Sequence, residues 1–279
     1  MENLGAAHRD RGDAGRGRPI LTLLTDFGQL DPFVGIMKGV ILTRCPEAVI
    51  VDLCHEVPPQ RILAGAFLLH TATPFFPPHT LHVAVVDPGV GSGRRALAAR
   101  IGGQVFLAPD NGLLSYALEF GRVEVLRAIT ARDLYLPEVS ATFHGRDVFA
   151  AVAGHLAAGL PLDRVGPEIK DPVRLPIPRP RPDAGRRLVG EVVWVDHFGN
   201  GITSIHRRDL APLLERCRGG AVSVRGRRLG TIVGSFAEAG PGGSGAVIGS
   251  TGHLELFLYQ GNLAAVWGVT PGDSVVVEA

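Results

Sequence analysis

The fold follows from one short stretch near the start of the chain, ILTLLTDFG at residues 20–28. Its nearly continuous apolar run predicts a strand that is buried on both faces, and Gly28 ends the strand in a turn. Helical spacing of apolar residues begins at Phe33, just after Asp31 and Pro32, which we expect to cap and start a helix. A buried strand followed at once by a helix is typical of a parallel sheet in an α/β domain.

The segments that follow continue this alternation of strands and helices. We expect the apolar face of the first helix to consist of Phe33, Ile36, Met37, Val40 and Ile41. The further elements predicted here are a strand at 48–53, a helix from about 59 to 70, a strand at 81–86 and a helix at 148–160. This order predicts an N-terminal, mostly parallel, three-layer α/β domain over residues 19–170.

The remainder of the chain has a different character. Five prolines between residues 172 and 182 predict an extended linker, which we assign to residues 171–187. Short β-rich runs separated by glycine-rich turns then predict a smaller C-terminal β-barrel domain over residues 188–279. Its expected strands are 191–196, 221–224, 231–236, 254–259 and 274–278. Residues 1–18 carry few large apolar side chains, so we expect a disordered tail.

Composition limits the classes of partner. The 28 basic and 27 acidic side chains among 279 residues leave a net charge of +1, which favours a small-molecule partner over nucleic acid or a membrane. Cys45, Cys54 and Cys217 form no C-x-x-C pair, and we see neither a signal peptide nor an apolar run of about 18 residues. We therefore expect a cytoplasmic protein.

Four polar motifs fall in predicted turns, where open α/β sheets place their ligand sites. The motifs are TDFG at 25–28, VDPGVG at 86–91 with Arg94 following, FHGRD at 143–147, and DHFGN at 196–200. Taken singly, each has a structural interpretation, such as an exposed ion pair between Asp87 and Arg94 or a hairpin turn at 196–200. Asp147 similarly suits a helix cap beside a solvated Arg146. Their joint occurrence favours a shared site.

Together with PDNG at 109–112, these motifs resemble those of the S-adenosyl-L-methionine (SAM) hydroxide adenosyltransferase family, from about Ile20 to the C-terminus. That family is related to the SAM-dependent fluorinases and chlorinases. The resemblance implies an α/β domain followed by a β-barrel, and hydrolysis of SAM to adenosine and methionine without a metal or other cofactor. It also implies a homotrimer that binds SAM between subunits.

The resemblance also assigns site residues. It implies a catalytic set of Asp87, Arg94 and His144. The SAM-binding residues that it implies are Asp26 at the ribose hydroxyls, Asp31 and Asp196 at the methionine part, and Phe198, Asn200, Ser250, Glu255 and the backbone at Leu263 at the adenine. The chain departs from the family pattern at Ala150, where a proline is common, at Ser204, where an asparagine is common, and at Leu263, where a small residue is usual.

The chemistry agrees with this set. A sulfonium leaves as a neutral thioether, so the reaction needs an aimed water rather than an acid. We expect Asp87, paired with Arg94, to orient that water and His144 to accept its proton.

Three other functions stay open. Asp26, Asp31, Asp87 and His144 would suit a metal-dependent hydrolase, and the pocket alone would suit a SAM or adenosine sensor. The third is a halogenase. Against it, the resemblance gives Asp87 where fluorinases carry a tyrosine and Gly145 where they carry a serine, and a carboxylate at that place repels halide.

Overall fold

The apolar run near the start of the chain forms strand β1 (Ile20–Thr25) in the computed structural model. Its leucines are buried, as expected of a strand that is covered on both faces. It lies between two parallel neighbours, β2 (Val49–Cys54) and β3 (Leu81–Val85). The predicted parallel arrangement in the N-terminal sheet is therefore confirmed.

The structure describes residues 17–183, 186–214 and 220–278. Cys217 and nearly all of the tail predicted at residues 1–18 lie outside that part. The chain forms two units, with the division between Leu175 and Pro176. None of the described helices has both the length and the apolar character needed to cross a lipid bilayer.

Three further strands complete the sheet of the first unit. They are β4 (Ala96–Ile101), β5 (Gln104–Pro109) and β6 (Val123–Ala128). The strand order is β2-β1-β3-β5-β4-β6, with β5 parallel to β3 and with β4 antiparallel to both β5 and β6. Asp26 directly follows β1, and Asp87 follows β3 by two residues. Both carboxylates therefore come from the same edge of the sheet, at the ends of neighbouring parallel strands.

The helices of this unit are α1 (Phe33–Arg44), α2 (Ile62–Ala72), α3 (Ser115–Phe120) and α4 (Ala151–Ala157). A π-helical turn, Gly145–Ala150, runs directly into α4. Both the turn and α4 pack against α1. The helix predicted at 148–160 thus begins earlier, immediately after His144, so the packing of α4 fixes the position of that side chain.

Two predictions about α1 were wrong. The helix begins at Phe33 after Pro32, and no side chain caps it, so Asp31 is not a helix cap. Its buried residues are Val34, Met37 and Ile41. Phe33 and Ile36, which were expected on that face, are 41% and 37% exposed. The stripe at positions i, i+3 and i+7 faces the core, and the residues beside it turn toward solvent.

The second unit is a closed barrel. Its strands are β7 (Arg181–Asp183), β8 (Arg187–Val195), β9 (Gly201–His206), β10 (Ala221–Val224), β11 (Arg227–Val233), β12 (Ser244–Ile248), β13 (His253–Leu258) and β14 (Ser274–Glu278). Seven of them form the ring β8-β9-β13-β12-β11-β10-β14, which antiparallel pairing of β14 with β8 closes, and β7 pairs with the first residues of β8. Two short helices, α5 (Arg207–Leu214) and α6 (Leu263–Trp267), accompany the barrel. The predicted barrel is confirmed.

Strand bounds in the barrel follow the apolar pattern only in part. β10 and β14 lie at the predicted residues, whereas the strand predicted at 231–236 is β11, which begins four positions earlier at Arg227. Arg227 and Arg228 pair within the sheet although they are charged, so composition did not reveal them as strand residues.

Part of the predicted linker 171–187 is structured. Val173 N donates to Asp110 Oδ1 at 2.7 Å, and Leu175 N donates to Ser115 Oγ at 2.8 Å. The first residues after 170 are therefore held on the α/β unit, and β7 pairs with β8 within the second unit.

Candidate active site

Asp26 occupies a tight turn at the end of β1. Gly28 adopts a left-handed conformation with φ +68°, and its N–H donates to the His55 carbonyl at 2.8 Å. The N–H of Gln60 donates to Asp26 Oδ2 at 2.9 Å. Oδ1 of Asp26 accepts no hydrogen bond from the part of the chain that the structure describes. The carboxylate is thus anchored through one oxygen, and the other is available to a ligand.

Asp87 and Arg94 form a buried ion pair. Their side chains are 4% and 10% exposed. Arg94 Nε donates to both carboxylate oxygens at 2.9 Å, and its Nη2 contacts Oδ2 as well. This geometry excludes the exposed ion pair that was one interpretation of the sequence. A buried pair of this kind persists only where its geometry is good, because removal of either partner would leave an uncompensated charge.

Arg94 also reaches His144, so the three residues form one hydrogen-bonded chain. Arg94 Nη2 lies 3.0 Å from His144 Nδ1. A guanidinium only donates, so Nδ1 accepts, and the hydrogen of the neutral imidazole is on Nε2. Burial lowers the pKa of His144, and the charge of Arg94 lowers it further, whereas Asp87 and Asp147 act in the opposite direction. His144 therefore presents an N–H on its second nitrogen, and its acceptor nitrogen is already occupied.

Two turns hold the hydrogen-bonded side chains of Asp87, Arg94 and His144 in place. Gly91 has φ +77°, and a Cβ there would overlap with the carbonyl oxygen of Ala141. Asn111 Nδ2 donates to the Val86 carbonyl at 2.8 Å, one residue before Asp87. The glycine-rich loop therefore packs directly on the segment that carries His144, and Asn111 of the PDNG motif supports the end of β3.

Asp147 positions the loop that precedes His144, and the sequence did not reveal this role. Its side chain is fully buried, and Oδ2 accepts from Ser140 N at 2.7 Å, while Oδ1 accepts from Arg146 Nε. The expectation of a helix cap beside a solvated Arg146 is wrong, because no side chain caps the π-helical turn and Arg146 lies over the Phe143 ring at 5.2 Å. The signal available in the sequence was a carboxylate directly beside an arginine, which is too common to interpret alone.

An aromatic cluster joins the Asp26 turn to the His144 turn. The rings of Phe27, Phe33 and Phe143 meet edge to face, with centroids 5.3 to 6.1 Å apart. A Cβ at Gly145 would lie 3.1 Å from the Phe27 ring and 3.3 Å from the Phe143 ring. A side chain at position 145 would therefore require the Phe27 and Phe143 rings to shift by a few tenths of an ångström.

A cavity of about 240 Å³ opens beside Arg94 and His144. Three hydroxyl-bearing residues, Ser92, Thr130 and Tyr135, also line it. Because a water molecule takes about 30 Å³ of liquid volume, the cavity has room for several. Water therefore has access to two of the three candidate catalytic side chains.

In the second unit, Asp196 organises the turn between β8 and β9. Its Oδ1 accepts from Phe198 N at 2.9 Å and from Asn200 N at 2.8 Å, and its Oδ2 accepts from Asn200 Nδ2 at 3.0 Å. Phe198 is 72% exposed. The segment is a hairpin turn, as its structural interpretation predicts, and it also presents an exposed aromatic ring beside a carboxylate.

Glu255 lies near this turn, and the Leu263 side chain packs into the barrel core. Burial raises the pKa of Glu255, and the charge of Asp196 raises it further. The carboxylate lies against Gly249, where a Cβ would overlap with Oε1, and Ser250 follows as an exposed residue. Leu263 is fully buried in the core of the barrel. The structure therefore groups Asp196, Asn200 and Glu255, with Ser250 one residue beyond Gly249. The backbone next to Leu263, which is the part that was predicted to bind, reaches the same turn, because Ala264 N donates to the Gly199 carbonyl at 3.0 Å.

Asp31 is exposed, and the possible metal ligands among the described residues are not grouped. Asp31 lies exposed in the turn before α1. Across residues 17–183, 186–214 and 220–278, no three or more His, Cys, Asp or Glu side chains are grouped as a metal site would require. The four residues considered for a metal-dependent hydrolase thus do not converge.

In the sheet unit, a carboxylate and a guanidinium beside strand ends are hydrogen-bonded in a chain with an imidazole at a helix start. Together with the closed barrel that follows, this site defines an α/β enzyme of two units. Family models of the SAM hydroxide adenosyltransferase N-terminal and C-terminal domains match residues 21–166 and 190–276. The chain belongs to the SAM hydroxide adenosyltransferase family.

Individual relatives agree with this assignment. An (R)-S-adenosyl-L-methionine hydrolase of Salinispora tropica is 40% identical over 265 residues, which cover 94% of this chain and 98% of the relative. A fluorinase of Nocardia brasiliensis is 31% identical, with 94% of this chain and 97% of the relative covered. A crystal structure of a conserved protein from Thermotoga maritima superposes with a TM-score of 0.88 at 34% identity, covering 93% of this chain and 100% of that one.

Proposed function

We propose that this protein hydrolyses SAM to adenosine and L-methionine. The observation that carries the proposal is the buried chain Asp87–Arg94–His144, which stands at the same sheet edge as Asp26. The names of the hydrolase relatives support the same substrate.

The bond changes are simple. A lone pair of water forms the new O–C5′ bond as the C5′–S bond breaks. The electron pair of the C5′–S bond goes to sulfur, which leaves as the neutral thioether of methionine. The attacking oxygen loses one proton and becomes the 5′-hydroxyl of adenosine. Alignment of water opposite the sulfur, about 3 to 3.5 Å from carbon, supplies much of the rate enhancement.

We assign the catalytic residues different roles from those expected from the sequence. Because Arg94 occupies Nδ1 of His144, that imidazole donates from Nε2 to the water oxygen rather than accepting a proton. Asp87 Oδ1 accepts one hydrogen bond from Arg94 and retains a lone pair for the water proton. A weak base is sufficient here, since an alcohol protonated on oxygen is strongly acidic.

For substrate binding, we assign Asp26 to the ribose hydroxyls and Asp31 to the methionine part. Asp196 is assigned to the methionine ammonium. The adenine side consists of Phe198, Asn200, Ser250, Glu255 and the backbone of Leu263. The free Oδ1 of Asp26 and the exposed ring of Phe198 support these assignments.

We also propose a homotrimer with SAM bound between subunits. Exposed apolar side chains on each unit support association, among them Leu30 on the first unit and Val266 on the second. Light scattering should give three times the chain mass of 29.5 kDa. A monomeric mass with full activity would contradict the trimer.

We propose that no metal or other cofactor takes part, and that the enzyme works in the cytoplasm. The departure of a neutral thioether supports the first point, because the leaving group needs no activation. The free thiols of Cys45 and Cys54 agree with a reducing compartment.

One experiment tests the proposed reaction. Purified protein is incubated with SAM and excess chelator in water enriched in ¹⁸O, and products are separated by chromatography and weighed by mass spectrometry. Equal amounts of adenosine and methionine, with the label in the adenosine hydroxyl, are expected. Turnover that stops with chelator would favour the metal-dependent alternative, and binding without turnover would favour the sensor.

A further inference from the structure

His55 is a buried histidine that the proposed reaction does not use directly. Its side chain is fully buried, and it lies immediately after β2, beside the turn that carries Asp26. Nδ1 lies 2.8 Å from Thr25 Oγ1. Nε2 lies 3.0 Å from Asp52 Oδ1, in a polar contact that is less well aligned than a good hydrogen bond.

The directions of these contacts follow from their partners. Thr25 Oγ1 accepts from the N–H of Phe27 at 3.3 Å, so its own hydrogen is free to go to His55 Nδ1. Nε2 then carries the imidazole hydrogen and faces the Asp52 carboxylate. Lys38 Nζ donates to the other oxygen of Asp52 at 2.6 Å. A polar chain thus runs from a surface ion pair to the backbone of the Asp26 turn.

His55 holds that turn at both ends. Its ring contacts Thr25, just before Asp26, and its carbonyl accepts from the N–H of Gly28 at 2.8 Å. Burial alone would raise the pKa of Asp52, but the contacts with His55 and Lys38 outweigh it and lower that pKa. Asp52 thus stays ionised opposite Nε2, which keeps the imidazole in the orientation that Thr25 requires.

We infer that His55 is the positioning residue of the ribose-binding turn, acting through Thr25 and Gly28 to aim Asp26 at the hydroxyls of the nucleoside. This inference rests on the proposed function, because it takes Asp26 to be the ribose ligand. A turn without the His55 contacts would leave the Asp26 carboxylate attached at Gln60 but free to rotate.

The sheet contains a matched control. Thr22 and His82 form the same kind of pair, Oγ1 to Nδ1 at 2.7 Å, and both are fully buried in neighbouring strands. Thr22 lies inside β1, away from the turn, and neither residue contacts the Asp26 turn. Loss of the Thr22–His82 pair removes a buried hydrogen bond and packing contacts, as loss of the Thr25–His55 pair does. It does not change the turn at the end of β1.

The test measures how strongly the binding affinity of the protein depends on the ribose hydroxyls. The affinities of the full-length protein for adenosine and for 2′,3′-dideoxyadenosine are measured by calorimetry, and their ratio is compared between variants. We expect Thr25→Val and His55→Gln to lower the ratio about tenfold, the equivalent of one well-placed hydrogen bond to a charged group. KM for SAM should rise by a similar factor, with a smaller change in kcat.

The controls separate positioning from general loss of stability. Thr25→Ser keeps the hydroxyl and should recover most of the discrimination. Thr22→Val should lower the thermal midpoint as Thr25→Val does, yet leave the ratio at the wild-type value. If His55→Gln does not fold, the comparison of Thr25→Val with Thr25→Ser shows whether the hydroxyl contact with His55 is needed for ribose discrimination.

Two contrary results are distinguishable. Wild-type discrimination in both Thr25→Val and His55→Gln would overturn the role of His55 while leaving the proposed reaction intact. A wild-type protein that binds both nucleosides equally, or neither, would overturn the assignment of Asp26 and with it the role of His55, while the ¹⁸O experiment tests the reaction separately.

Discussion

Arg94 donates to both of the other candidate catalytic side chains, Asp87 and His144, and this fixes the protonation of the imidazole. Protonated His144 would carry a hydrogen on Nδ1, where it would face the guanidinium of Arg94 instead of accepting from it. The hydrogen-bonded chain is therefore intact only while His144 is neutral, which ties activity to pH.

The rate of SAM hydrolysis should rise with pH and then level off, with a midpoint below 6.5. Burial and the charge of Arg94 lower the pKa of His144, so the neutral, active form persists to a lower pH than for an ordinary histidine. A profile of kcat/KM against pH measures the midpoint. His144→Ala should abolish the inflection and reduce turnover by about 10² or more, because the attacking water loses the donor that positions it.

Thermal unfolding of that variant serves as its control, because a retained midpoint excludes loss of fold. A midpoint above pH 7 would contradict the contact with Arg94, since it would require the imidazolium to be favoured.

We expect Asp87 and Gly145 to favour water over halide as the nucleophile. High fluoride or chloride should give adenosine with no more than traces of 5′-halogenated product, because the Asp87 carboxylate repels an anion and Gly145 has no hydroxyl to offset its desolvation. Chromatography of the products checks this. Substantial 5′-chloro- or 5′-fluoro-adenosine would put a halogenase in place of the hydrolase.

At the scale of elements, the glycine-rich loop packs on the segment before His144 where Gly91 lies close to the carbonyl oxygen of Ala141. Gly91→Ala should reduce activity at least tenfold, because the new Cβ would overlap with the Ala141 carbonyl and a left-handed φ disfavours alanine. Steady-state turnover of SAM measures the effect.

Gly93→Ala is the matched control, since that glycine has an ordinary φ, open space around it, and the same loop. It should retain close to wild-type turnover. Equal losses in the two variants would show that general loop flexibility, rather than the contact with Ala141, is what activity requires.

Element prediction from the sequence succeeded where burial is complete and failed where tertiary contacts decide. β1 and β3 were recognisable because both faces are apolar. The exposed side of α1 was not, since Phe33 looks like a core residue but contacts the aromatic cluster at the site instead. The early start of α4 through a π-helical turn depends on packing against α1, which no local pattern encodes.

The candidate site shows the same division. The motifs located Asp26, Asp87 and Arg94 at strand ends and His144 at a helix start, but they did not show which nitrogen of His144 is free. The roles of Asp147 and His55 depend on partners distant in sequence or on the loop conformation, so spacing alone did not reveal them.

For the whole molecule, the buried neutral His82 contributes to the sensitivity of stability to acid. Burial lowers the pKa of His82 to about 4, from 6.5. Between these values the unfolded chain binds a proton that the folded chain does not, so stability is complete above about pH 6.5 and falls as pH drops toward 4. The expected loss from His82 alone is about 3 kcal/mol.

Urea unfolding followed by circular dichroism at several pH values tests this. His82→Gln should flatten the dependence of the unfolding free energy on pH between 6.5 and 4, whatever its effect on stability at neutral pH. An unchanged slope would mean that His82 accepts a proton in the folded state at ordinary pH.

The closure of the barrel by β14 on β8 has a consequence for how the protein is made. The whole first unit, through Leu175, is translated before the barrel strands, so that unit can fold while the ribosome is still adding barrel residues. The barrel cannot close before Ser274–Glu278 has left the exit tunnel, and until then β8 and β10 present open edges to other nascent chains. A ribosome that stalls just before Ser274 would therefore hold a finished sheet unit tethered to an unclosed, aggregation-prone barrel.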